Sequence, residues 1–134
     1  MKIYISLLLS LLICLLTGTL LSGCRTAPSS AGGYEQITAE EAKNLMDTKT
    51  NFVILDVRTE QEYDLGHIPG AIVIPNEVIL EEAEGTLTDK NQLILVYCRS
   101  GRRSKEASQK LVDLGYTNVK EFGGIIDWPY QTTR

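Results

Sequence analysis

Leu93-Ile94-Leu95-Val96-Tyr97 runs without interruption into Cys98-Arg99-Ser100-Gly101-Arg102-Arg103-Ser104. Five consecutive apolar residues mark a strand buried on both faces, the condition of strands inside a parallel sheet. Beyond the loop, Ala107, Leu111 and Leu114 recur at i, i+4 and i+7, and Gly115 stands where the C-terminus of that helix is expected. The stretch therefore predicts strand, loop, helix, with the loop at the carboxyl edge of a sheet.

The same grammar extends outward. Phe52 to Leu55 and Ala71 to Ile74 are two more continuous apolar runs, and Glu35 to Ile37 and Asn118 to Phe122 are shorter strand candidates. Thr38-x-x-Glu41 and Thr59-x-x-Glu62 are capping boxes, in which hydroxyl and carboxylate satisfy amides of a first helical turn. Ala42, Leu45 and Met46 give the first of these helices its buried stripe, and Asn76 to Glu84 is predicted as a further short helix. Strands alternating with helices in this way imply an α/β fold, an open parallel five-stranded sheet flanked by helices on both faces.

The 134 residues carry 13 basic and 17 acidic side chains, a formal net charge of −4. A nucleic-acid-binding protein would show the opposite balance, so no nucleic-acid partner is expected. Ile3 to Leu21 is uncharged and Leu-rich after the single positive charge of Lys2. Nineteen such residues are long for the apolar core of a signal sequence and long enough to span a bilayer. Leu21-Ser22-Gly23-Cys24 resembles a bacterial lipobox, whose cysteine is lipidated and becomes the new N-terminus. The expected organisation is a lipoprotein signal peptide over 1–23, a flexible tether over 24–33 and one domain over 34–134. An uncleaved signal anchor and an ordinary cleaved signal are the alternatives. The lipoprotein reading implies a bacterial cell-envelope location, a membrane contact through lipid on Cys24, and an extracytoplasmic domain.

Of three cysteines, Cys14 lies in the leader and Cys24 in the lipobox, which leaves Cys98 alone in the domain. A lone thiol is either a small buried hydrophobe or a nucleophile. Its neighbours favour the second reading. Ligands bind at the carboxyl ends of strands in open parallel sheets, and a helix N-terminus aims amides and a positive dipole end at whatever sits there. Such surroundings favour thiolate over thiol. Arg99, Arg102, Arg103 and Lys105 place four cations within seven positions. Cations are electrostatically misplaced at a helix N-terminus, so an anionic ligand is the better explanation.

The loop resembles the active-site loop of single-domain rhodaneses, the thiosulfate-type sulfurtransferases. Two further segments carry the resemblance: Asp56-Val57-Arg58 with Glu62-Tyr63 and Gly66-His67-Ile68-Pro69-Gly70-Ala71, and Gly123-Gly124-x-x-x-Trp128. The resemblance implies that Cys98 takes the outer sulfur of a donor such as thiosulfate as a persulfide and passes it to a thiol or cyanide. It further implies amides of Arg99, Ser100, Gly101, Arg102, Arg103 and Ser104 around the sulfur. A donor sulfonate would be held by Arg99, Arg102 or Arg103, with no cofactor and no metal. Arg58 is either a further donor contact or an ion-pair partner of Asp56 or Glu62. His67 is expected to be structural, and Trp128 to pack in the core or act as a lid. Two rival functions stand beside the sulfurtransferase: a membrane-tethered persulfide carrier or sulfur-sensing or docking module with little turnover, and a cysteine phosphatase. Phosphatases need Cys, five residues, then Arg; here Ser104 fills that slot and Arg103 comes one residue early.

Overall fold

A computed structural model describes residues 32–134. The leader over 1–23, Cys24 and most of the tether lie outside the described residues. Five strands form one parallel sheet: β1 (Glu35–Gln36), β2 (Phe52–Asp56), β3 (Ala71–Val73), β4 (Leu93–Cys98) and β5 (Val119–Gly124). Between them run α1 (Ala39–Thr48), α2 (Glu60–Leu65), α3 (Ile79–Thr86) and α4 (Arg102–Asp113), and a 3-10 turn (Ile125–Asp127) follows β5. The α/β fold is as the sequence implies.

Alternation along β4 divides the core. Ile94, Val96 and Cys98 face one side, with Ile79 and Ala83 of α3 and Ala107 and Leu111 of α4. Leu95 and Tyr97 face the other, with Ala42 of α1, Ile68, Phe122 and Trp128. All six β4 residues are buried, which explains the unbroken apolar run.

Strand order across the sheet is β1-β5-β4-β2-β3. The chain leaves β2 towards β3 on one side and leaves β4 towards β5 on the other. Adjacent strands whose connections diverge open a crevice at their carboxyl ends. The crevice lies between Arg58 after β2 and the loop after β4.

Both capping boxes form as read. The Thr38 hydroxyl accepts the Glu41 amide at 3.1 Å while Glu41 accepts the Thr38 amide at 2.8 Å, and Thr59 and Glu62 repeat the exchange. One helix is misplaced by the sequence: α3 begins at Ile79, three residues after the predicted Asn76. Asn76 is occupied otherwise. Its amide donates to the Val57 carbonyl at 3.1 Å, and its side chain and carbonyl bind Glu106 and Lys110 of α4. Tertiary hydrogen bonds there hold the backbone outside the helix.

Candidate active site

Cys98 is the last residue of β4, and its sulfur points to the α4 side with 1% of the residue exposed. Gly101 makes the turn possible. It caps α4 at φ 101°, a left-handed conformation that costs an L side chain dearly, and its amide donates to Cys98 Sγ at 3.1 Å. The amides of Arg102, Arg103 and Ser104 are the next donors of the first helical turn, which has no intrahelical acceptors for them. Ser104 Oγ lies 3.4 Å from the sulfur on the other side. The thiol therefore sits at a helix N-terminus with the Gly101 amide and the Ser104 hydroxyl beside it.

The arginines divide by what holds them. Arg103 makes a forked pair with Glu62 of α2, at 2.7 and 2.8 Å, and these hydrogen bonds hold the Glu62 carboxyl down at about 2. The same carboxylate closes the α2 capping box, so Glu62 ties the start of α2 to the start of α4. Arg102 points away and pairs with Glu106 at 2.7 Å on the exposed face of α4. Arg99 makes no ion pair among the described residues. It lines a cavity of about 400 Å³ together with Arg58, Glu62, Leu65 and Ile126. Cys98 is not on that cavity's wall; its sulfur lies within the loop. Ser100 is exposed at the loop's tip.

Arg58 pairs with Asp56 and not with Glu62, while still lining the cavity beside Arg99. Its Nε and Nη2 reach the two Asp56 oxygens at 2.6 to 3.0 Å, and Nη2 also donates to the Gly66 carbonyl at 2.8 Å. The guanidinium is buried, and the pair fixes the β2 end beside the crevice. His67 is structural: it stacks on Tyr63 at 3.7 Å between ring centroids and pairs its backbone with Thr133. Trp128 packs against Phe122 and Tyr130 and is buried, so it belongs to the core.

Three features of this site escape sequence reading. Glu62 serves two ends at once, Gly124 passes hard against the Arg99 carbonyl, and Glu121 is buried beside Ser104. Glu62 and Gly124 stand in motifs of the sequence, but the contacts named here are made across the fold; Glu121 left a trace only as an acidic residue in phase with Val119 on an interior strand.

The rhodanese-like domain family matches residues 38–129. The chain belongs to the rhodanese-like family. It is 40% identical over 73 residues to thiosulfate sulfurtransferase PspE of Escherichia coli strain K12, covering 54% of this chain and 70% of that protein. A tRNA uridine(34) hydroxylase of Photorhabdus laumondii is 32% identical over 106 residues, 75% of this chain but 29% of that longer protein. Among solved structures, a rhodanese with anions from E. coli superposes with a TM-score of 0.58 at 35% identity, over 62% of this chain and 98% of that one. The Alr3790 protein from Anabaena gives 0.67 at 30% identity, over 72% and 90%. This rhodanese-like chain is thereby a sulfurtransferase-type enzyme.

Proposed function

We propose that the chain moves a sulfane sulfur from thiosulfate, a persulfide or a polysulfide to a thiophilic acceptor through a persulfide on Cys98. The observation that carries this reading is the sulfur's position: at the end of a central strand, at the N-terminus of α4, with an amide 3.1 Å away. Cys98 thiolate attacks the outer sulfur of thiosulfate; the S–S bond to sulfite breaks, and sulfite leaves with the bonding pair. A thiol or cyanide acceptor then attacks the outer persulfide sulfur and regenerates the thiolate. This is covalent catalysis in two half-reactions, so ping-pong kinetics are expected. Intact mass after thiosulfate should rise by one sulfur atom and return after cyanide. A chain that never gains that mass would refute the reading.

Donor charge discriminates the arginines. Arg99 is the guanidinium left to meet an anion, because Arg103 is committed to Glu62 and Arg102 to Glu106. Arg99→Ala should lower kcat/KM for thiosulfate about 10–150-fold more than for an uncharged persulfide donor, the worth of one charge-assisted pair at about 1.5–3 kcal/mol. Arg103→Ala should depress both donors alike by releasing the loop, and Arg102→Ala neither. An equal loss of both donors in Arg99→Ala would remove it from donor binding. Arg103 held away by Glu62 also leaves the loop without the arginine a phosphatase needs, so no useful aryl phosphate hydrolysis is expected.

The lipobox reading extends the proposal to location. A lipid on Cys24 would tether the domain to the bacterial envelope, with roughly 17 Å of reach from the nine residues 25–33 that follow it. Full-length chain expressed in bacteria should incorporate labelled palmitate and lose it in Cys24→Ala. Label retained by the variant would refute the anchor.

A further inference from the structure

Strand β5 carries a carboxylate that the sulfur chemistry above leaves unused. Glu121 is 2% exposed, and among the described residues it makes no ion pair. Its Oε1 accepts the Gly123 amide at 2.8 Å and the Ser104 hydroxyl at 2.6 Å. That hydroxyl, fully buried, is the one 3.4 Å from Cys98 Sγ. A buried carboxylate without a cation is costly unless hydrogen bonds satisfy it or it takes up a proton. Here it shares one helix N-terminus and one hydroxyl with a thiol.

Ser104 has a single hydroxyl hydrogen to give. Directed at an ionised Glu121, it leaves only lone pairs towards the sulfur, an arrangement that suits a Cys98 thiol donating to Ser104. With a proton on Glu121, the hydroxyl hydrogen is released from it and can turn past the Gly101 and Gly123 carbonyls, at 3.0 and 3.3 Å, to a charged sulfur, which then accepts from both Ser104 and the Gly101 amide. That arrangement suits a thiolate.

We propose that Cys98, Ser104 and Glu121 share one proton, and that the nucleophilic form is the Cys98 thiolate with Glu121 protonated. The proposal rests on Cys98 being the nucleophile, and it makes Glu121 a positioning residue acting through Ser104. In the step, the S–H bond of Cys98 breaks as its proton passes to Ser104 Oγ, while the Ser104 proton passes to Glu121 Oε1. Nothing is oxidised or reduced, and the three groups together keep a charge of −1. A dianionic donor therefore meets one buried negative charge and not two.

Most of the other charges around the unit are committed elsewhere; Glu77 and Cys98 both lie within the field of Arg103. Arg103 of α4 is paired with Glu62 of α2, and Arg58 with Asp56 at the end of β2. Lys120, next to Glu121 on β5, is paired with Glu35 of β1, and Glu41 of α1 closes its own capping box. Arg99 stands exposed on the loop.

The test is alkylation of the full chain by iodoacetamide across pH, read at the Cys98 peptide by mass spectrometry. Glu121→Gln fixes the neutral partner and should lower the pH of half-maximal labelling by about one unit, or about tenfold faster labelling below the midpoint. In a Ser104→Ala background the same substitution should move the profile less, because the shared hydroxyl is gone. Glu121→Asn serves as the second neutral variant if circular dichroism shows the Gln variant unfolded. A profile unchanged by the neutral variant, or displaced to higher pH, would overturn the proposal and leave Glu121 a structural tie. Sulfur uptake from thiosulfate is measured on the same preparations. An expected shift in a chain that takes up no sulfur supports proton sharing and counts against the transfer reaction. An unchanged profile in a chain that does take up sulfur counts against proton sharing alone.

Discussion

Cys98→Ser should abolish sulfur uptake while leaving the fold in place. The expected loss in kcat/KM is about a thousandfold or more, equivalent to at least about 4 kcal/mol of barrier. The reason lies in the atom and not in the space. A hydroxyl fits where the thiol sat, and the Gly101 amide and Ser104 hydroxyl, at 3.1 and 3.4 Å from the sulfur, offer it hydrogen-bond partners. Stability should therefore stay within about 1 kcal/mol of the parent, measured by thermal or urea unfolding. What the serine cannot do is ionise near neutral pH or hold a second sulfur. Every step of the proposed cycle passes through that atom, and the described domain offers no other cysteine to substitute for it. Uptake of one sulfur atom by the serine variant at anything near the parental rate would place the chemistry elsewhere.

Much of this architecture was legible because the sequence signals were local. The β2 and β4 runs are buried in the interior of a sheet, so their residues are apolar without alternation, and both capping boxes act within four residues. The short edge strand β1 pairs only Glu35 and Gln36 with β5 and was correspondingly faint. The start of α3 is not readable locally because what stops it, the binding of Asn76 to Val57, Glu106 and Lys110, is assembled from distant parts of the chain.

The same distinction governs the site. Cys98 and its loop could be found from strand, turn and helix succession alone. Which arginine is left for a ligand could not, since the answer depends on a carboxylate 41 residues upstream reaching Arg103. The sequence leaves the partner of Arg58 open for a similar reason. Both Asp56 and Glu62 lie within reach by sequence, and only packing shows that Glu62 is already engaged. Charge complementarity across the crevice is a property of the folded sheet, and composition counts it without assigning it.

Gly124→Ala should be the most damaging change of a single methyl group in the domain. The glycine's φ of −124° is ordinary for any residue, so conformational freedom is not what it provides. Space is. A Cβ on Gly124 would stand 2.1 Å from the Arg99 carbonyl oxygen, 2.5 Å from its carbon and 2.6 Å from Ser100 Cα. All three are backbone atoms of the nucleophile loop, so no rotamer change relieves the clash. Register at this point is also set tightly: after a bulge between Val96 and Cys98, Cys98 pairs directly with Gly124, and the Ile126 amide donates to the Arg99 carbonyl at 3.2 Å. The loop must move away from β5, and the turn through Gly101 that brings an amide to Cys98 Sγ must move with it. Overpacking of this kind costs about 1–3 kcal/mol or more in stability. The loss of activity should exceed what stability explains, because a displacement of about 1 Å in a reacting group can cost about a hundredfold in rate. The variant should therefore melt lower yet remain folded at room temperature, load sulfur at least about a hundredfold more slowly, and alkylate at Cys98 with an altered pH profile. Near-parental sulfur loading in Gly124→Ala would mean that the close approach of β5 does not set the loop's working geometry.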